Sequence, residues 1–149
     1  MPYSQLLSGR WSETGRIYHL TCRTRNSLQL FKPFSNGLCV SRTLWSLQAE
    51  NLVKLHCWML MPDHFHGLME VQEGMSLAQG VKLIKGRSAR NLNRQLGRRG
   101  AVWQKAFYDR ALRKEDDLQG VARYIVANPV RAGIVSSVGA YPFWRAVWL

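Results

Sequence analysis

The sequence predicts one mixed α/β domain, α+β in kind, with strands and helices interleaved. Two strand-like stretches, residues 54–61 and 64–71, are separated only by Pro62-Asp63, so they read as a hairpin. A stretch rich in β-formers, residues 17–25, precedes them, and segments with helical spacing lie between and after, the longest over residues 76–96. The chain of 149 residues has the length of a single domain, 1–149, able to bury one core without disulfides.

Taken in order, residues 1–15 carry Ser, Gly and Pro and read as a flexible arm. Residues 17–25 (Ile-Tyr-His-Leu-Thr-Cys-Arg-Thr-Arg) alternate as a strand, in which His19 fits a partly buried strand residue better than a ligand. Residues 26–36 form a loop containing Pro33. Ser35 or Asn36 then caps a helix over 37–51, with Leu38, Ser41 or Arg42, Trp45 and Gln48 at helical spacing. After the hairpin, Gly74 and Ser76 open the 76–96 helix, whose apolar stripe is Leu77, Val81, Ile84 and Leu92. Gly97-Arg98-Arg99-Gly100 is a basic turn, and residues 102–112 read as a fourth strand. The aromatics there, Trp103, Phe107 and Tyr108, either pack on the sheet or stack on bases. Glu115-Asp116-Asp117 precedes Leu118, Val121, Ala122 and Ile125, which marks a helix start and not a metal site. That helix runs to about Asn128, where Pro129 stops it. The tail, residues 140–149, packs its aromatics back onto the domain.

Twenty-one Lys and Arg against nine Asp and Glu give a net charge of +12 and a pI near 10.4. Arginine dominates, and its planar fork suits phosphate, so the expected partner is nucleic acid. No helix reads as a clean basic amphipath and no apolar run is long enough to span a bilayer, so no membrane partner is expected. The N-terminus lacks a secretory apolar core, and Cys22, Cys39 and Cys57 are scattered as in a reducing compartment, which points to the cytoplasm. Arg87, Arg90, Arg94 and Arg98 recur at three- and four-residue spacing without interleaved acids; the stripe is either a solvated helix face or, since like charges at that spacing repel, a phosphate-contacting surface, the reading favoured here. With Arg23 and Arg25 they are the candidate DNA contacts.

The chemistry centres on Asp63-His64-Phe65-His66. In a strand, His64 and His66 share a face while Phe65 anchors the opposite one. Two imidazoles so placed either converge on a metal ion or lie on the exposed face of an edge strand. Tyr124 and Asn128 are four residues apart and flank the apolar stripe of the last helix. Tyr124 is then either an interfacial packing residue or a nucleophile toward a phosphodiester. A phenol of pKa about 10 needs its electrophile activated, and a divalent ion on His64 and His66, with Asn128 as a carbonyl third ligand, would do that.

Residues 62–66 resemble the HUH motif (His, bulky hydrophobe, His) of single-tyrosine transposases. Residues 122–133, Ala-Arg-Tyr-Ile-Val-Ala-Asn-Pro-Val-Arg-Ala-Gly, resemble the tyrosine helix of the REP-associated tyrosine transposases, as do Trp103-Gln104 and residues 107–110. The resemblance implies a ferredoxin-like domain of HUH endonuclease type, with a central antiparallel sheet. It further implies Mg2+- or Mn2+-dependent cleavage and rejoining of single-stranded DNA at hairpins of repetitive extragenic palindromes, through a 5′-phosphotyrosine, in the bacterial cytosol at the nucleoid. By position, His64 and His66 become metal ligands and Tyr124 the nucleophile. Asn128 stands where single-tyrosine transposases commonly carry a glutamine ligand. Both a monomer and a homodimer fit this reading. The rivals are a non-catalytic basic nucleic-acid binder on the same fold and a metal-dependent hydrolase that uses water.

Overall fold

The structure is a computed structural model and describes residues 13–113 and 116–148. The expected arm therefore lies mostly outside the described residues, as does Glu115 of the acidic triplet. Among the described residues five strands and four α-helices follow one another as β1 (Ile17–Arg23), α1 (Phe34–Ala49), β2 (Lys54–Met61), β3 (His64–Glu70), α2 (Leu77–Leu96), β4 (Tyr108–Ala111), α3 (Leu118–Val126), α4 (Asn128–Arg131) and β5 (Trp144–Ala146). The sheet is antiparallel throughout in the order β4-β1-β3-β2-β5. The first four strands have the ferredoxin-like β-α-β-β-α-β arrangement, and β5, contributed by the tail, extends the β2 edge.

The register defines two faces. Thr21 pairs with His66 and Arg23 with His64 across β1 and β3, while Met59 pairs with His66 and Met61 with His64 across β2 and β3. These side chains therefore share one face. The other face carries Tyr18, Leu20, Cys22, Leu60, Phe65 and Met69, all buried. Helices α1 and α2 cover it: Gly80 of α2 lies so close to Met69 that an added Cβ would sit 2.6 Å from the Met69 methyl. Helix α3 covers part of the histidine face, where the Cys57 thiol meets the Ala122 carbonyl at 4.0 Å.

The hairpin and the long helix form where expected, with Ser76 and Gln79 closing a capping box at the start of α2. Four expectations are corrected. The first strand ends at Arg23, because Asn26 and Ser27 adopt positive φ. Helix α1 begins at Phe34 after Pro33 and uses neither Ser35 nor Asn36 as a cap; the Asn36 amide donates instead to the Leu30 carbonyl at 2.8 Å. Its buried face is Gly37, Val40, Ser41, Leu44 and Leu47, so Trp45 points outward. The fourth strand shrinks to 108–111 because the Lys85 ammonium takes the carbonyls of Gln104, Lys105 and Ala106, while the Trp103 indole N–H donates to Ser88 Oγ at 2.9 Å. Those three carbonyls are spent on α2, and upstream of them the stretch keeps an isolated bridge between Trp103 and Thr24. Pro129 does not simply end a helix: it occupies the first turn of α4, where its missing N–H costs nothing.

Candidate active site

Strand β3 starts directly after the Pro62-Asp63 turn, and this places both imidazoles at its first positions on one face. Their ring centroids are 4.8 Å apart with the planes nearly perpendicular. The Asp63 carboxylate sits 2.7 Å from His64 Nδ1, an arrangement that favours a proton on Nδ1. A carboxylate behind an imidazole in this way is the usual support of a metal-binding histidine. His66 Nδ1 lies 3.2 Å from both His19 Nε2 and Thr21 Oγ1 of β1. Burial, then His64, His19, Arg23 and Arg131, push the His66 pKa down to about 3. At neutral pH this ring is uncharged, which is the form a metal requires. Burial and Arg110 likewise lower His19.

The donor chemistry fits a divalent ion: two imidazoles share one face, one of them buried and uncharged and the other backed by a carboxylate. Among the described residues no three His, Cys, Asp or Glu side chains converge as a complete metal cage. An ion bound to the pair would thus keep positions open for other ligands, as catalytic metals do.

Helix α3 buries Ala122, Ile125 and Val126 against the sheet. Tyr124 falls off that stripe and is 64% exposed on the histidine side of the domain. The Arg131 guanidinium, from α4, stacks on its ring at 3.8 Å from the centroid, a cation–π contact. Helix α3 packs against β3, and the Arg131 charge contributes to lowering the His66 pKa, so the tyrosine ring and the guanidinium lie on the histidine side of the sheet. Asn128 is half-buried at the start of α4, and its amide N–H donates to the Ile125 carbonyl at 2.8 Å. No hydrogen bond among the described residues joins it to either histidine.

The arginines divide. Arg23 lies opposite His64 in the β1–β3 register and is exposed; Arg25 is exposed in the next turn, close by. The hydroxyl and amide of Thr24 both donate to the Asp63 carbonyl, which staples this end of β1 to the histidine turn. Arg87, Arg90 and Arg94 lie on α2, across the sheet from the histidines. Arg87 pairs with Glu50 at 3.4 Å. Arg98 lies beyond the helix and closes the basic turn through Asn93 Oδ1 at 2.9 Å and the Ala101 carbonyl at 3.1 Å. The structure thus brings Arg23, His64, His66 and Tyr124 to one side and leaves the α2 stripe on the other. Asp63, Thr21 and Arg131 were not singled out from the sequence. Asp63 was visible as a carboxylate beside His64, whereas Thr21 and the contact of His19 with His66 depend on a strand register that no local pattern encodes.

The family model for IS200-like transposases matches residues 13–128. A Haemophilus influenzae protein assigned to the REP-associated tyrosine transposases is 32% identical over 94 residues, covering 56% of this chain and 53% of that protein. The REP-associated tyrosine transposase of Escherichia coli K12 is 28% identical over 91 residues, covering 60% of this chain and 52% of the relative. The chain thus spans about half the length of the curated relatives it matches. The solved structure of a REP-associated tyrosine transposase bound to a REP hairpin shares the fold, with a TM-score of 0.73 over 91% of this chain and 79% of that one at 23% identity. With its model matched across most of the chain, including the histidine turn and the tyrosine helix, the protein belongs to the IS200-like transposase family.

Proposed function

We propose that this transposase cleaves and rejoins single-stranded DNA at REP-type hairpins through a covalent 5′-phosphotyrosine on Tyr124. The observation that carries this reading is the exposed Tyr124, stacked under Arg131 on the side of the domain where the His64 and His66 imidazoles share a face. Tyr124 Oη attacks the phosphorus, the new O–P bond forms, and the P–O3′ bond breaks to leave a 3′-hydroxyl. The phenolic proton leaves during attack, and the departing 3′-oxygen takes one up. Reversal by another 3′-hydroxyl restores the phosphodiester and frees the tyrosine, so strand joining needs no other energy source.

Mg2+ or Mn2+ held by His64 and His66, with Asn128 Oδ1 as a third ligand, would polarise the phosphate oxygens. Asp63 holds the His64 ring in orientation and tautomer. Burial keeps His66 neutral. Arg131 restrains the Tyr124 ring and adds positive charge where the phosphate arrives. Arg23 and Arg25 lie where they could hold the strand's backbone near the histidines, and a stripe on α2 is left for DNA that passes behind the sheet. The substrate places the protein at the nucleoid of the bacterial cytosol.

The test is incubation with Mg2+ or Mn2+ and end-labelled hairpin oligonucleotides, followed by a denaturing gel. A protein–DNA adduct that Tyr124→Phe abolishes is the expected result. Cleaved DNA without an adduct would favour a water-using hydrolase, and binding without cleavage would favour a non-catalytic binder.

A further inference from the structure

On the face away from the histidines, α1 and β5 flank a groove of about 420 Å³, within the usual size range of ligand sites. Two of its aromatics are unusually open, Phe34 at 60% and Trp45 at 54% exposure. Its basic groups are Arg42 and Arg145, and the Arg145 guanidinium sits 4.9 Å from the Trp45 ring centroid. Beneath them, Ser41 and Trp58 also line the groove. Both are more than nine-tenths buried, yet among the described residues the Ser41 hydroxyl and the Trp58 indole N–H have no hydrogen-bond partner. Buried polar atoms left unpaired are a net cost to a fold, and two at one groove call for a ligand that supplies the partners.

We infer that this groove is a second DNA-binding site, which takes an unpaired nucleotide: its base stacks on Trp45, the base edge meets the Trp58 N–H and Ser41 hydroxyl, and its phosphates meet Arg42 and Arg145. Each part of the groove matches one part of that ligand. Aromatic faces stack bases of any identity. A ring nitrogen or carbonyl of the base accepts from the indole N–H, and a hydroxyl donates or accepts. Guanidinium groups take phosphate. Duplex DNA fits poorly, because its base faces and pairing edges are already occupied. The groove opens beside β5, and α3 packs against that same strand, so single-stranded DNA leaving the groove around this edge reaches the tyrosine helix. The inference takes from the proposed function only the nature of the ligand and requires neither metal nor Tyr124.

The experiment uses the full chain carrying Tyr124→Phe, in chelator, so that no cleavage occurs. Binding of labelled single-stranded homopolymers of each base, and of a duplex of equal length, is measured at fixed salt. Trp45→Ala, at an exposed position, is expected to weaken single-strand binding about tenfold while leaving duplex binding unchanged. Trp58→Phe keeps an aromatic ring, a smaller one, but removes the N–H, and is expected to weaken binding about three- to tenfold and to reduce discrimination between bases. Bromodeoxyuridine crosslinks should map to the Trp45 or Trp58 peptides. Unchanged single-strand affinity in Trp45→Ala, or an equal loss for duplex, would overturn the site. A dimer that Trp45→Ala dissociates would assign the groove to a second copy and overturn it equally. If wild-type protein forms no tyrosine adduct yet the groove variants lose single-strand binding, the catalytic reading fails and the groove stands.

Discussion

The two faces of the sheet are covered differently. Helices α1 and α2 seal one of them over Leu20, Cys22, Leu60 and Phe65, each at most 1% exposed. On the other, α3 covers Cys57 and Met59 but leaves Thr21, His64 and His66 only half-buried. Over these central strands the sealed side is apolar and holds the domain together, and it opens at its edge, in the groove between α1 and β5. The half-open side concentrates imidazole, hydroxyl, carboxylate, phenol and guanidinium, groups that are costly to bury and useful only where a ligand can reach them. Stability and chemistry are thus assigned to opposite sides of three central strands, and the strand alternation that anchors Phe65 on one side presents His64 and His66 on the other.

The division can be broken or sharpened by substitution. The largest effect is expected from Tyr124→Phe: adduct formation lost altogether, with hairpin affinity and melting temperature unchanged, read by gel and calorimetry. His64→Ala or His66→Ala should lower cleavage at least about a hundredfold while most DNA binding remains. Asn128→Ala should raise the metal concentration needed for half-maximal cleavage, and an unchanged metal titration would remove it from the ligand set. On the sealed side, Gly37→Ala should cost about 1–3 kcal/mol in denaturant unfolding, because an added Cβ would overlap the Phe143 ring; cleavage per folded molecule should be unchanged.

Acid sensitivity is the next effect in size. The His66 pKa, near 6.5 when unfolded, is pushed to about 3 in the fold, so between these values the unfolded state binds more protons. Its contribution to stability is complete above pH 6.5 and declines as the pH falls from 6.5 toward 3, by up to about 1.4 kcal/mol per pH unit. His66→Gln should flatten the melting temperature in that range, and an unchanged acid profile would contradict the burial argument. The smallest effect concerns the α2 stripe: Arg90→Ala with Arg94→Ala should lower the slope of log affinity against log salt by about 1.4 for single-stranded DNA. An unchanged slope would leave that stripe as a solvated face.

The hairpin, the α2 helix, the tyrosine helix and the shared face of His64 and His66 were legible because local periodicity and turn residues set them. The short β4 was not, since Lys85 of α2 captures the backbone carbonyls of Gln104, Lys105 and Ala106 that a longer strand would need, and such contacts have no local signature. The outward turn of Trp45 escaped for a related reason: an apolar residue at helical spacing marks a core only if tertiary packing agrees, and here Gly37 and Leu44 were chosen instead. β5 hides in a tail whose aromatics signalled packing but not pairing. Within the site, the histidine pair and the tyrosine stood out as motifs, while the partners of His66 on β1 and the stacking of Arg131 on Tyr124 arise only from register and helix placement.

The central claim is that Tyr124 is the residue that bonds to DNA. Wild-type protein is incubated with hairpin DNA and Mn2+, trapped in denaturant and digested with protease and nuclease, and the nucleotide-bearing peptide is sequenced by mass spectrometry. The account predicts a phosphodiester mass on Tyr124, joined to the 5′ side of the cleaved strand. The same mass on another residue, or cleavage with no modified peptide at all, would contradict it.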